Sequence, residues 1–402
     1  LVWALGGVLG LRCLITRDWH AVRAIPLAAW IFVSLAAISV FAADDRLSWL
    51  KDLIQYVEYF VVALAVFLFA LRRPAGRRLV LGASLFALAG IVALALFQYA
   101  RTQQVAGFAV RGTFGNANVL GGYFSLALPA LFAFLLYGRS RPLRIAGVIL
   151  LASGIMCLLF GGAFIALMLS MGTIAALQSR RTVLILAALV VAGACVVLAR
   201  LPRENLWALH DSIAFYTPSG DPAMRYPEWQ AGGDMARQNP ILGVGLGNYQ
   251  RHIGGHYGVM PSENEKAVPD SQNLYLVLAS SIGIPGAVAF LVLLMTAIAN
   301  SVQGVAEQGP ELRVAANAAG LGAVIGFAVC AVWAPLIVRG IGIPLALALA
   351  LCLTPSPARP RGDHRLSASP PNAVPRQPER READGEDASQ ASTYSTKELR
   401  SD

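Results

Sequence analysis

Charge is what this sequence has least of. Asp, Glu, Lys and Arg make up 14% of its 402 residues, against roughly 25% in soluble domains. Hydrophobic residues reach 56% and come in long blocks, so the composition excludes a soluble globular class and points to a polytopic membrane protein. Cysteine is also scarce. Cys13, Cys157, Cys195, Cys330 and Cys352 all lie in apolar segments, and none is spaced from another as metal ligands are. They read as small core residues, with no disulfide and no zinc site. Histidine is equally thin. His252 and His256 are four residues apart, but Gly254 and Gly255 interrupt any helix between them, which argues against a metal pair.

What is present is a series of apolar runs. A hydrocarbon core about 30 Å thick needs roughly 20 apolar residues per helix. Eleven runs qualify: 1–16, 25–43, 53–71, 78–99, 117–137, 143–159, 161–178, 182–200, 272–299, 314–334 and 336–353. Basic residues collect in alternate connections, "RDWHAVR" (17–23), "RRPAGRR" (72–78), "GRSRPLR" (138–144) and "QSRRT" (178–182). By the positive-inside rule these face the cytoplasm of an inner membrane, and 44–52, 100–116 and 201–271 face outside. Topology therefore accounts for the net charge of +9, and nucleic acid is not an expected partner. The same alternation puts Leu1 outside, so one further helix ahead of it, twelve spans in all, is expected. The expected fold class is an all-α integral membrane domain over 1–353 with one large external loop. The stretch from 354 to 402 is rich in Pro, Ser and balanced charge, and a disordered cytoplasmic tail is expected there.

The loop 201–271 carries five basic and eight acidic side chains from 202 to 270. Its segment "PEWQAGGDMARQNP" predicts a short helix ended by Pro240, with Trp229 at the membrane interface. The stretch "NPILGVGLGNY" follows, with Asn239 and Pro240 ahead of Gly243, Gly245 and Gly247. Its third glycine is misplaced for a dinucleotide fingerprint and no βαβ unit surrounds it. These glycines predict a turn in an external loop.

One short stretch stands out at the mouth of the fifth run, "RGTFGNANVLGGYF" from Arg111. An arginine at a membrane boundary commonly snorkels to the headgroups. Here Gly112 and Gly115 would let a ligand approach the backbone, and Asn116 or Asn118 could cap the following helix. A guanidinium beside a helix N-terminus suits an anion, above all a phosphate.

Three blocks in order carry a resemblance: "RGTFGNANVLGGYFSLALPALF", "RYPEWQAGGDMARQNPILGVGLGNYQ" (225–250) and "DSQNLYLVLASSIGIPGAVAF" (270–290). Together they resemble the O-antigen ligase and polymerase family of bacterial envelope enzymes. The resemblance implies a GT-C-like membrane glycosyltransferase without metal or other cofactor. It would take a glycan from an undecaprenyl-diphosphate donor and pass it to lipid A core, a growing polysaccharide or a protein. Arg111 and Arg225 match motif positions that would hold the donor diphosphate, with Asn116 and Asn118 beside them.

The third block departs from the family pattern. Gln272 stands where a histidine usually precedes Asn273. Glutamine cannot act as general base. Asp270 is the first substitute expected, with Glu263, His252 and His256 behind it. The competing class is a non-catalytic or transport protein of polysaccharide export. Transporters carry ionisable residues or broken helices at the midplane. Here the spans hold few charges, and Glu58 is expected near the external end.

Overall fold

A computed structural model describes residues 1–102, 110–115, 117–138, 141–158, 162–200, 225–256, 271–307 and 311–354. It is helical throughout, with no strand among the described residues. The helices are α1 (Val2–Thr16), α2 (His20–Arg23), α3 (Leu27–Ile38), α4 (Arg46–Leu71), α5 (Pro74–Thr102), α6 (Ala117–Tyr137), α7 (Arg141–Met156), α8 (Gly162–Gln178) and α9 (Arg180–Arg200). There follow α10 (Arg225–Gln238), α11 (Tyr249–His252), α12 (Leu274–Ala306), α13 (Glu311–Cys330) and α14 (Gly342–Leu353).

A helix stands at each of the eleven expected runs. Five are long and apolar enough to cross a bilayer by themselves: α4, α5, α6, α12 and α13. The others, among the described residues, are shorter or less uniformly apolar, so length and composition suffice for a crossing at five helices. The tail 354–402 lies, beyond Thr354, outside the described residues.

The centre of the bundle is α13, which packs on α6, α8, α12 and α14. Its sequence explains the position. Small residues let backbones approach where no hydrophobic drive acts between helices. A Cβ at Gly326 would run into the Ser125 carbonyl of α6, and one at Gly320 into Cys352 of α14. Aromatic side chains tie in the next layer. Phe32 of α3 lies 5.0 Å from Phe60 of α4 and 5.3 Å from Phe290 of α12, and Phe290 lies 6.3 Å from Phe327 of α13. By contrast α5 is mostly exposed, with Leu79, Phe86 and Phe97 pointing out. An apolar helix surface of this kind is stable only against lipid.

Three details depart from the sequence reading. The third run begins earlier, at Arg46, because Asp45 accepts hydrogen bonds from the Leu47 and Ser48 amides at 3.0 and 3.2 Å and caps the helix. Glu58 therefore lies midway along α4, at the start of a π-helical stretch Glu58–Ala63, and not near the external end. Cys195 is exposed on α9, whereas the other four cysteines are buried.

Candidate functional site

The described residues of the three sequence blocks gather at one end of the bundle. There α4 starts, α5 ends, α6 and α12 start, and α13 ends. The first element is the turn 110–115 between α5 and α6. Gln98 in α5 holds its backbone. Its Oε1 accepts from the Arg111 and Gly112 amides at 3.0 and 2.8 Å, and its Nε2 donates to the Gly112 carbonyl at 2.9 Å. Gly112 has φ +60°, and a side chain there would press on Leu120 at 3.1 Å, so glycine is required. Phe114 turns inward and its ring lies 5.5 Å from that of Tyr123. The backbone of Arg111 is thus clamped while its side chain stays exposed. Asn118 is exposed inside the first turn of α6. That position cannot cap the helix, so the expected alternative of a cap at 118 is corrected. The capping position is 116, and Asn116 lies outside the described residues.

The second element is the glycine-rich loop after α10. Helix α10 ends at Gln238, ahead of Pro240 as expected. Gly243, Gly245 and Gly247 all have positive φ, 67°, 89° and 75°. Each presses on another element, so the predicted turn is a wedge. A Cβ at Gly243 would meet the Ser280 and Ser281 backbone of α12, at Gly245 the backbone of Ala43, and at Gly247 the carbonyl of Ser48. The wedge enters a break in α12, where Gly283 takes φ +81° and Pro285 follows. In an unbroken helix the Ile284 amide would bond to the Ser280 carbonyl. Instead Ile284 N donates to the Pro240 carbonyl at 2.8 Å, and the Ser280 carbonyl accepts from Val244 N at 2.9 Å. The loop replaces both halves of the missing bond.

The far end of the loop is fastened to α3 and α4. Buried Ser39 accepts from Leu246 N at 3.1 Å. Asn248, fully buried, accepts from Asp45 N at 2.8 Å and donates to the Asp45 and Leu246 carbonyls at 3.2 and 3.1 Å. Arg251 pairs with Asp45 at 2.6 Å, and His252 Nε2 lies 3.1 Å from Asp44. The Ser48 hydroxyl first, and then the Ser48 amide, hold the Asp45 carboxyl below its ordinary range. The Leu47 amide and Arg251 add to this against partial desolvation.

The third element is the start of α12. Gln272 is half-buried and sits at φ +51°, a rare conformation for a residue with a side chain. Asn273 caps the helix, accepting from Tyr275 N at 3.0 Å and Leu276 N at 3.2 Å. Ser271 N donates to the buried Tyr249 hydroxyl at 2.7 Å, and Leu274 N to the Ala331 carbonyl at 2.8 Å. Helix α10 packs across this start, with Gly232 against Ser271 and Leu276. Arg225 opens α10, about two turns before Gly232, and Trp229 is half-buried on the same helix. Asp270 and Glu263 lie outside the described residues.

The turn 331–336 joins the first element to the third. Leu336 packs where a Cβ of Gly122 would stand in α6, Trp333 does the same at Gly162, and the Ala331 carbonyl holds α12.

Several residues at this end escaped the sequence reading. Gln98 and Tyr249 look like ordinary polar residues of apolar or loop segments, and only the fold gives them partners. Glu228 is a buried carboxylate three residues after Arg225. The Arg-x-x-Glu spacing on a helix was a usable signal. Arg339 sits in the π-helical turn Ile337–Ile341. Like Arg111, it is an arginine in an apolar run, and that was its signal.

A family model described as O-Antigen ligase matches residues 105–291. All three elements fall within that range, apart from the turn 331–336 that links them. The match bears out the resemblance drawn from the three blocks, over residues 105–291. The family implies an O-antigen ligase-type function in envelope polysaccharide and, with the apolar helices, a multi-pass membrane protein. No curated protein sequence matches the chain.

Proposed function

We propose that this chain is an O-antigen ligase-type membrane glycosyltransferase moving a glycan from undecaprenyl diphosphate to a polysaccharide or lipid acceptor at the outer face of a bacterial inner membrane. The observation that carries this reading is an apolar groove of about 460 Å³ below the Arg111 turn. Its walls are α5, α6, α13 and α14 with Phe67 of α4, and Leu88, Leu126, Leu131 and Leu347 are among the lining side chains. Tyr123, whose ring lies tilted against Phe114 of that turn, lines it as well. An exposed guanidinium near the upper end of a groove without charge suits a lipid with an anionic head and a hydrocarbon tail.

In this reading Arg111, with Asn116 and Asn118 beside it, and Arg225 on α10 receive the diphosphate. Charge grows on the diphosphate as the glycosidic bond breaks. Positioned donors then stabilise the transition state, by about 3–4 kcal/mol for each donor removed. No metal is required, since guanidinium supplies the positive charge. Asp270 is the first candidate to take the acceptor hydroxyl proton, since Gln272 cannot, and buried Glu228 on α10 is the second. General-base catalysis is worth about 10²–10⁴-fold, so Asp270→Asn at wild-type rate would remove Asp270 from the mechanism.

The transport reading is less well supported. Broken helices in transporters leave backbone groups open to substrate. Here the carbonyl and the amide released at Gly283 are both taken by the loop.

Glycan transfer by the full chain in nanodiscs tests the proposal, with an undecaprenyl-diphosphate oligosaccharide as donor and product size read on a gel. A ladder identifies a polymerase and a single shifted acceptor a ligase. Either product should vanish in Arg225→Ala and stay absent in Arg225→Lys, which lacks the planar fork. Full activity in the lysine variant contradicts bidentate binding. No product while donor still binds would make the chain a binding protein.

A further inference from the structure

A second charged assembly lies at the other end of the bundle. Helix α4 starts beside the glycine-rich loop and runs 26 residues to Leu71. At about 1.5 Å per residue its far end is roughly 39 Å from the candidate site. Seven arginines gather there, from α1, α2 and the α4–α5 junction: Arg12, Arg17, Arg23, Arg72, Arg73, Arg77 and Arg78. The carboxylate near them in sequence, Asp18, accepts from the His20 amide at 3.2 Å. Among the described residues none of the seven forms an ion pair.

Two of these arginines already have protein work. Arg77 Nε donates to the Leu71 carbonyl at 3.2 Å and closes the end of α4, and Arg72 Nη2 donates to the His20 carbonyl at 3.0 Å and ties α2 to α4. Two others share one aromatic ring and have no such role. The guanidinium carbons of Arg12 and Arg73 lie 4.8 and 4.9 Å from the centroid of the same ring, Phe69. Two cations are therefore held at most about 10 Å apart, and neither pairs with a carboxylate among the described residues. The Arg72 Nε is shielded from solvent and has no hydrogen-bond partner. Arg12 sits one turn from the end of α1, whose Leu11, Leu14 and Ile15 are exposed. A lipid chain running along that face would bring its phosphate to the level of the arginines.

We propose that Arg12, Arg73 and Phe69 form a site for the phosphate headgroup of an anionic phospholipid, on the leaflet opposite the candidate active site. Basic pockets between helices are suited to such headgroups, and each arginine near the surface adds attraction. The ring matters as well as the charge, because it holds two mutually repelling guanidiniums in place through cation–π contacts. This site is independent of the proposed glycan transfer.

Native mass spectrometry of the full chain, released from micelles supplemented with phosphatidylglycerol or with phosphatidylcholine of the same acyl chains, tests this. The expected result is retention of phosphatidylglycerol over phosphatidylcholine. The preference should fall about 30-fold in Arg12→Gln/Arg73→Gln, two arginines at about 1 kcal/mol each. Phe69→Leu keeps both charges and should still weaken retention. Arg180→Gln/Arg181→Gln removes the same charge from the start of α9 and should change nothing. Inorganic pyrophosphate should not displace the lipid, since it lacks the acyl chains. No preference for phosphatidylglycerol would overturn the proposal. So would an equal loss in the Arg180/Arg181 variant, which would reduce the effect to general positive charge. Displacement by pyrophosphate would make the site one for free phosphate.

Discussion

Replacing Gly283 by alanine tests the claim that loop and broken helix form one unit. Gly283 has φ +81° and ψ 165°, a region that is essentially glycine-only and costs other residues about 1–3 kcal/mol. A methyl group there would also collide with the Ile241 carbonyl. The relief available is to push the loop away, which breaks the Val244–Ser280 and Ile284–Pro240 hydrogen bonds of 2.9 and 2.8 Å, at roughly 1 kcal/mol each. The sum is about 3–5 kcal/mol of loop docking. That raises the undocked population by roughly 10²–10⁴-fold, at 1.4 kcal/mol per factor of ten. Hydrogen exchange read by mass spectrometry should show Val244, Leu246 and Ile284 amides exchanging faster by that factor. Helices α6 and α13, which the loop does not touch, should keep their protection. Glycan transfer should fall with the docked fraction. Unchanged protection at Val244 and Ile284 in Gly283→Ala would refute the reasoning, because it would mean the loop is held without the break. Uniform loss of protection would mean that the whole bundle, and not the loop, depends on this glycine.

Three other outcomes follow from the same geometry. Gln98→Leu removes three hydrogen bonds to the Arg111 turn and should cost about 2–3 kcal/mol locally, read as faster exchange at Arg111 and Gly112 and a lower transfer rate. Asn248→Ala empties a fully buried site with bonds to Asp45 and Leu246, and should lower thermal stability by about 2–3 kcal/mol and open the loop to protease. The Asp45 carboxyl sits below its ordinary range in the folded protein. Its contribution is therefore complete above the unfolded value of about 3.9 and is lost as pH falls through the depressed folded value. Protease protection of the loop should hold unchanged down to about pH 4 and weaken only below it in the wild type. In Asp45→Asn it should be weaker at neutral pH and lack this acid step.

The apolar runs and their order were legible in the sequence, because 20-residue hydrophobic stretches are a local signal. Helix starts were less so. "RLSWLKD" reads as a polar connection, yet Asp45 caps it and it becomes the first turns of α4. That carries Glu58 from the expected external end to the middle of the helix. The glycines at 243, 245 and 247 announced a turn, since only positive φ calls for three glycines in five residues. Their partners were invisible, because Asp45 and Asn248 are 203 positions apart. The sequence reading missed the break at Gly283, since 272–299 reads as one continuous apolar run. Cys195 went wrong for a simpler reason. An apolar helix in a membrane protein has an apolar outer face, so hydrophobicity does not distinguish core from lipid contact.

The proposed function gives a reason for the many anchors of the loop that follows α10. Stabilising a departing diphosphate requires donors already in place when charge develops, since reorganisation would forfeit the gain. Loops are ordinarily the mobile part of a structure. Arg225 is carried on α10, and α10 is gripped from two directions. At its C-terminal end Pro240 and Val244 complete the broken turn of α12. Along its face Gly232 meets Ser271 and Leu276, and the Ser280 hydroxyl donates to the Gly232 carbonyl at 3.0 Å. The same α12 bears Gln272 and Asn273 at its start, where Tyr249 of the loop receives the Ser271 amide. An intact α12 would bond Ile284 N to the Ser280 carbonyl itself and would release Pro240 and Val244. The break in the helix therefore fixes the C-terminal end of the segment that carries Arg225.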